Sequence, residues 1–236
     1  MEKQEKIVSM FNNIAPTYDT ANRVMSMGID KSWRDKACKK TFELYGKNSI
    51  DKIVDVACGT GDMILFWKEV AKKKNVDLKN IVGVDPSVGM MEVGKKKLPE
   101  VEFIEAYATS MPIENDSADI ISISYGIRNV VQRQEAFIEF ARVLKKNGLV
   151  VISEFTKNKK ETPLDYITAF YMDKILPKIG EIISKNKEAY RYLPDSIDEF
   201  LTTENLCREL KNAGLEPIYV KAFSMNISTL IIAKKV

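Results

Sequence analysis

Histidine is absent from the 236 residues, and with it go the commonest general base and the commonest metal ligand of proteins. Serine-histidine, cysteine-histidine and histidine-metal chemistries are excluded. Cysteine is scarce: Cys38, Cys58 and Cys207 are widely spaced and form no paired motif, so neither a zinc site nor a disulfide framework is signalled and no metal is expected. No apolar run is long enough to cross a bilayer, and the start Met1-Glu2-Lys3-Gln4-Glu5-Lys6 lacks a signal core, which predicts a cytoplasmic protein. A net charge of +3 is too small to imply nucleic acid, and the lysines at 72–74, 95–97 and 145–146 read as solvated helix faces. Linkers, repeats and low-complexity stretches are missing too. With 45% hydrophobic and 29% charged residues, the chain is expected to fold as one globular domain over 1–236.

What is present is a strand-turn-helix pattern, Ile53-Val54-Asp55-Val56-Ala57-Cys58-Gly59-Thr60-Gly61-Asp62, and a second apolar run ending Ile81-Val82-Gly83-Val84-Asp85. A β-branched run reads as a buried strand, Gly59 and Gly61 let backbone approach a ligand, and a helix starting near Met63 turns its amino end toward it. Asp85, closing the next strand, can accept hydrogen bonds from both hydroxyls of a ribose. The dinucleotide fingerprint is incomplete: Ile64 holds the third glycine position, and the anion Asp62 stands where a pyrophosphate would dock. S-adenosylmethionine has the same adenosine but carries a sulfonium and an amino-acid tail, which Asp55 and Asp62 would attract. A glycine turn in any other α/β protein would give the same short motif.

Periodicity predicts strands at 53–57, 81–85, 102–105, 119–124 and 149–154, alternating with helices at 62–73, 87–97 and 133–145, hence a parallel sheet covered on both faces. Ser87 or Asp85 is expected to cap the second of these helices, and Lys146-Asn147-Gly148 to close the third with a left-handed residue. Pro217–Ala222 and Ser228–Ala233 are expected to form an antiparallel hairpin. The whole resembles the α/β, Rossmann-like seven-stranded sheet of class I S-adenosylmethionine-dependent methyltransferases, with the last strand antiparallel. Residues 1–45 are then an amino-terminal helical cap, and 155–200 a helical, substrate-side insertion after strand five.

Further segments are similar to one family, the ubiquinone and menaquinone biosynthesis C-methyltransferases. They are Met10-Phe11-Asn12-Asn13-Ile14-Ala15-Pro16-Thr17-Tyr18-Asp19, Asn22 to Asp30 with Trp33-Arg34, Ile123-Ser124-Tyr125-Gly126-Ile127-Arg128-Asn129-Val130, and Leu176 to Gly180 with Tyr190-Arg191-Tyr192-Leu193 and Ser196-Ile197. The resemblance implies methylation of demethylmenaquinol or a polyprenyl benzoquinol, with S-adenosylmethionine contacts at Thr60, Asp85, Tyr107, Ala108 and Ser124. These join Asp55, Gly59 and Gly61 from the loop itself. Two departures stand out: Tyr107 replaces the usual Asn or Asp, shifting adenine recognition toward Ala108 backbone and stacking, and Cys58 replaces a more frequent glycine.

A ring carbon becomes nucleophilic when its neighbouring hydroxyl ionises, and a phenol-type group has a pKa of about 10. Arg128 is expected to steady the phenolate as a fixed positive charge, Asn129 to orient the quinol oxygen, and Asp62 or Asp19, through a water held by Tyr18, to take the proton. The isoprenoid tail implied by the resemblance is assigned to an apolar stripe at Leu164, Ile167, Phe170, Tyr171, Ile175, Ile179, Ile182 and Ile183, with reversible contact at the membrane surface. Head group, tail length and a homodimer stay open. So do two rivals, an O- or N-methyltransferase of a soluble small molecule and a non-catalytic nucleoside-binding module.

Overall fold

The computed structural model describes residues 2–157, 170, 171, 175, 187–224 and 226–236. Strands β1 (Ser49–Val56), β2 (Asp77–Asp85), β3 (Glu102–Glu105), β4 (Ala118–Ser124), β5 (Leu144–Glu154), β6 (Leu215–Phe223) and β7 (Ser228–Lys235) form one seven-stranded sheet ordered β3-β2-β1-β4-β5-β7-β6. Neighbours from β3 through β5 pair in parallel, while β7 runs antiparallel to both β5 and β6. The order reverses at β1, which has β2 on one side and β4 on the other, and that reversal opens a crevice at the carboxyl ends of these strands.

Alternation along the strands splits the core in two. Val54, Val56, Ile121 and Ile123 face one layer, built on helices α6 (Arg133–Val143) and α8 (Thr203–Asn212), through Phe137, Phe140, Leu206 and Leu210. Ile53, Ile81 and Ile120 face the other, built on α3 (Ile29–Tyr45) and α4 (Asp62–Lys74), through Trp33, Phe42, Ile64 and Trp67. Both faces are covered, which is why the strand sequences read as continuous apolar runs. Helix α5 (Val88–Lys97) starts at Ser87, whose hydroxyl accepts from the Met90 amide at 3.4 Å. Helices α1 (Glu2–Ile14) and α2 (Tyr18–Met25), joined by the 3-10 turn Ala15–Thr17, lead into α3; α7 (Lys187–Asp198) precedes α8.

Four local expectations need correction. Strands β1 and β2 begin at Ser49 and Asp77, earlier than the apolar runs, because their polar first residues pair with each other at the solvent end of the sheet. Helix α6 stops at Val143 instead of 145, since fully buried Leu144 already pairs with Ala118. The left-handed residue is Asn147, at φ +65°, and it sits within β5 where the register slips between Ala118 and Ile120, a bulge and not a helix cap. Gly148 follows because a Cβ there would meet the Asp119 carbonyl oxygen at 3.0 Å. Of the lysines read as solvated faces, Lys97 instead reaches Asp19 and Asp62, and Lys145 reaches Asp51 and Asp119. Leu164, Ile167, Ile179, Ile182 and Ile183 of the apolar stripe lie outside the described residues. Within it, Phe170 and Ile175 are exposed, while the Tyr171 hydroxyl donates to the Met25 carbonyl at 2.7 Å.

Candidate active site

The carboxyl ends of β1, β2 and β4 surround a cavity of about 360 Å³, a volume typical of small-ligand sites. Gly59 at φ +54° and Gly61 at φ +80° shape the loop after β1. A Cβ on Gly59 would press on the Met90 methyl at 3.1 Å. The Gly59 amide donates to one oxygen of Asp85 at 2.8 Å and the Ser87 amide to the other at 2.7 Å. The strand-end acid is thus fixed to the loop and to the start of α5, lines the cavity, and burial pushes its pKa up to about 6. Asp55 is oriented by a relay in which Trp67 donates to Ser122 at 2.9 Å and Ser122 donates to Asp55 Oδ1.

Two cavity-lining residues, Asp55 through Oδ2 and Ser124 through Oγ, carry an oxygen that is buried without a partner among the described residues. Burial drives the Asp55 pKa to about 7. Leaving such groups unpaired costs about 1–3 kcal/mol each, and a cationic ligand bearing N–H donors would relieve both. Ala108 is buried in the same wall and Tyr107 is 44% exposed beside it. Thr60 also lines the cavity, and its hydroxyl donates to Asp19 at 2.6 Å.

Around this loop runs a chain of alternating charges. Asp19 accepts from Lys97 at 2.7 Å, Lys97 also reaches Asp62 at 3.1 Å, Asp62 binds Arg23, Arg23 binds Asp30, and Asp30 binds Arg34. Burial opposes the charge on Asp62, but Lys97, Arg23 and Arg34 together hold its carboxyl below the usual range. Asp62 lines the cavity with its oxygens already bound by cations, and Asp19 lines neither cavity described here. Asp62 thus meets the cavity as a charge-neutralised anion, and Asp19 reaches the cavity wall only through Thr60.

A second cavity of about 270 Å³ adjoins the first and shares Phe11, Tyr18, Arg34 and Tyr125 with it. Its wall is aromatic, with Trp33, Phe155, Tyr171 and Tyr192 added to the shared rings. Tyr125 and Phe155 lie 4.7 Å apart between centroids, tilted by 34°. Burial raises the pKa of Tyr18 and pushes that of Tyr125 up to about 12, so both phenols stay protonated at neutral pH. Arg128 lines this second cavity, yet its guanidinium does not face it unopposed: Nη1 donates to Glu154 at 2.6 Å and to the Tyr125 carbonyl at 2.7 Å, and Nε to Ser196 at 3.3 Å. Glu154, fully buried, also accepts from the Arg128 amide at 3.2 Å. An arginine in a buried loop finds its anion within the protein when one is available. Asn129 lines the first cavity, not the second, and its side-chain oxygen accepts from the Tyr192 hydroxyl at 2.9 Å.

A profile of the ubiE/COQ5 methyltransferase family matches residues 1–235. The chain belongs to this family. A relative from Campylobacter jejuni strain 81-176, the ubiquinone/menaquinone biosynthesis C-methyltransferase UbiE, is 57% identical over 235 residues, covering 100% of both chains. A demethylmenaquinone methyltransferase from Chlorobaculum tepidum is 34% identical over 99% of this chain and 94% of its own. The crystal structure of a SAM-dependent methyltransferase from Aquifex aeolicus superimposes with a TM-score of 0.58 at 14% identity, over 84% of this chain and 89% of that one. That likeness carries the class I fold, as expected from the strand pattern.

Sequence reading missed four members of this methyltransferase's site. Arg34 was visible as part of Trp33-Arg34, and its spacing from Asp30 is the four-residue step that pairs charges on a helix. Glu154 ends a buried apolar strand just as Asp85 does. Arg23 stood within the segment Asn22 to Asp30 and Lys97 within the run 95–97, but their pairing was hidden, because their partners lie on other elements.

Proposed function

We propose that this chain is a C-methyltransferase of quinone biosynthesis, transferring a methyl group from S-adenosylmethionine to a ring carbon of demethylmenaquinol or of the corresponding polyprenyl benzoquinol. The observation that carries the reading is the pair of joined cavities, one with unpartnered acceptors at Asp55 and Ser124, the other walled by aromatic rings. When bound, S-adenosylmethionine supplies a methyl on cationic sulfur, which leaves as a neutral thioether as the ring carbon takes the methyl.

The residues at hand fit that donor. Asp55 and Ser124 meet the cationic amino-acid end, Asp85 the ribose hydroxyls, and the Gly59-Thr60-Gly61 turn gives backbone access, with Tyr107 and Ala108 left for the adenine. On the acceptor side, Tyr125 and Phe155 hold a planar head group, Tyr18 stands at the junction as a protonated donor, and Arg128 and Asn129 fix the far wall. Asp62 and Asp19 act as anchors for Lys97 and Arg23; the hydroxyl proton leaves to water, and after methyl transfer the hydrogen on the methylated carbon is lost as the aromatic ring and its hydroxyl re-form. The tail passes Met27 and Ile29, which line the second cavity and are 84% and 45% exposed, toward a reversible contact with the membrane surface. No helix among the described residues is long and apolar enough to cross a membrane.

Anaerobic incubation with S-adenosylmethionine and a short-tailed demethylmenaquinol tests the proposal. It should yield S-adenosylhomocysteine and a ring-methylated quinol; an O-methyl product, or no turnover, rejects it.

A further inference from the structure

Two arginines line the aromatic cavity, and their surroundings differ. Arg128 has Glu154 to itself as an ion-pair partner: one carboxylate oxygen accepts from the guanidinium and the other from the Arg128 backbone amide. Arg34 has only a share of a carboxylate, because Asp30 Oδ2 binds Arg23 as well. Its Nη1 is committed to Asp30, while its Nε is buried with no partner among the described residues. Arg34 is also one of four residues that line both cavities, and its guanidinium lies 5.2 Å from the centroid of the Tyr125 ring. In the alternating series Arg34, Asp30, Arg23, Asp62, Lys97, Asp19, each interior member serves two neighbours and Arg34 is the cationic end. At that end Arg34 has a single carboxylate contact, and that one is shared.

We propose that Arg34 is the guanidinium that holds the acceptor's oxygen, donating to it at the junction of the two cavities as the oxygen becomes anionic. This deepens, and rests on, the C-methyltransferase reading above. A charge-assisted hydrogen bond from a planar, always-protonated donor in a water-poor wall lowers the pKa of the hydroxyl it touches. Its ionisable surroundings are Asp30 and the buried thiol of Cys38 on its own helix, Tyr18 and Arg23 on α2, Asp62 at the start of α4, Asp55 on β1 and Tyr125 after β4. Burial raises Tyr18, Tyr125 and Cys38 from their ordinary values, and Asp55, at about 7, belongs to the donor wall, so a profile of kcat recorded at saturating S-adenosylmethionine reports the acceptor hydroxyl.

The test replaces Arg34 by Met, Gln and Lys and measures methylation of short-tailed demethylmenaquinol between pH 7.5 and 9 (roughly, bracketing the approach to a phenolic pKa near 10). Loss of one such donor lowers kcat on the order of 10²-fold. R34M and R34Q should show that loss, with a rate that climbs more steeply and further into the alkaline range than the wild type's. Affinity for S-adenosylhomocysteine should stay within about threefold, and R34K should recover much of the rate because it keeps the charge. Asp30 retains Arg23 in every variant, so no buried carboxylate is stranded; if R34M does not fold, R34Q carries the measurement. A wild-type pH profile in R34M or R34Q, or R34K as inactive as R34M, overturns the role. Failure of the wild-type protein to methylate the ring at all would instead overturn the underlying function.

Discussion

Asp55 keeps one carboxylate oxygen buried and unpartnered in the donor cavity, and burial lifts its pKa to about 7 from an ordinary value of 3.8. The unfolded chain therefore loses this proton first as pH rises. Between about pH 4 and 7 the folded state binds more protons, so this group's contribution to stability falls across that window. Asp85, at about 6, acts in the same direction. Asp55→Asn removes the charge and keeps an oxygen to accept from Ser122. Relief of roughly 4 kcal/mol from three pKa units, less about 1–3 kcal/mol for a buried amide without a partner, leaves the variant about 1–3 kcal/mol more stable at pH 8. Thermal unfolding at pH 8 and pH 4 should show that gain at the first and none at the second, and titration calorimetry should show at least about tenfold weaker donor binding, as expected for a lost charge-assisted contact. Equal Tm values at pH 8 would mean that Asp55 is not held as a strained carboxylate. At this scale the acids were legible because each lies at the carboxyl end of an apolar strand, Asp85 as its last residue and Asp55 as the one before, positions where a charge needs a reason. Arg128 was legible as a residue and not as an environment: nothing near it in the sequence announces Glu154, which arrives from the next strand.

Between elements, the donor loop is set by how closely β1 and β4 approach. A Cβ on Gly126 would stand 2.6 Å from the Ala57 methyl, so Gly126→Ala must push the loop after β1 outward. The expected result is a loss of about 1–3 kcal/mol of stability from overpacking, together with weaker donor binding, read by chemical denaturation and calorimetry on the same preparation. Lys97 ties α5 to α2 through Asp19 and to α4 through Asp62. Lys97→Met leaves Asp62 only the arginine side of its ion pairs. The Asp62 carboxyl is held below its ordinary pKa, a contribution present above the unfolded value and lost as pH falls through the folded one. The variant's deficit should thus be largest at neutral pH and shrink below about pH 4, with faster amide exchange in α2. Strands and the terminal hairpin could be read from β-branched runs, since burial on both faces leaves that imprint. The end of α6 could not, because Leu144 fits a helix pattern and a strand pattern alike, and pairing with Ala118 decides between them. The placement of α1 across the donor cavity was equally hidden, for it depends on contacts such as Asn12 accepting from the Gly89 amide at 2.8 Å.

Across the whole molecule, the parallel sheet turns its carboxyl ends to one side, and the amino-terminal helices close over them. The two cavities consequently meet under α1, α2 and α3, and the second is edged by the turn between α2 and α3, where Met27 is 84% exposed beside Val24, 48% exposed in the last turn of α2. A tail leaving the aromatic cavity past this turn would emerge beside apolar side chains already in water, the arrangement expected of a surface that rests on a bilayer. Val24 does not line the cavity, which separates membrane contact from head-group binding. Val24→Glu replaces a side chain worth about 1.5–3 kcal/mol when buried in an apolar phase with a charge, so vesicle affinity should drop by about tenfold or more in a flotation assay. Turnover of a short-tailed quinol in solution should stay at the wild-type level, whereas turnover of a long-tailed quinol embedded in vesicles should fall in step with binding. Met27→Glu, at the cavity's edge, is expected to impair both. Unchanged flotation of the Val24 variant would move the contact away from this turn, and a parallel loss with the short-tailed quinol would show that Val24 supports the site and not the surface.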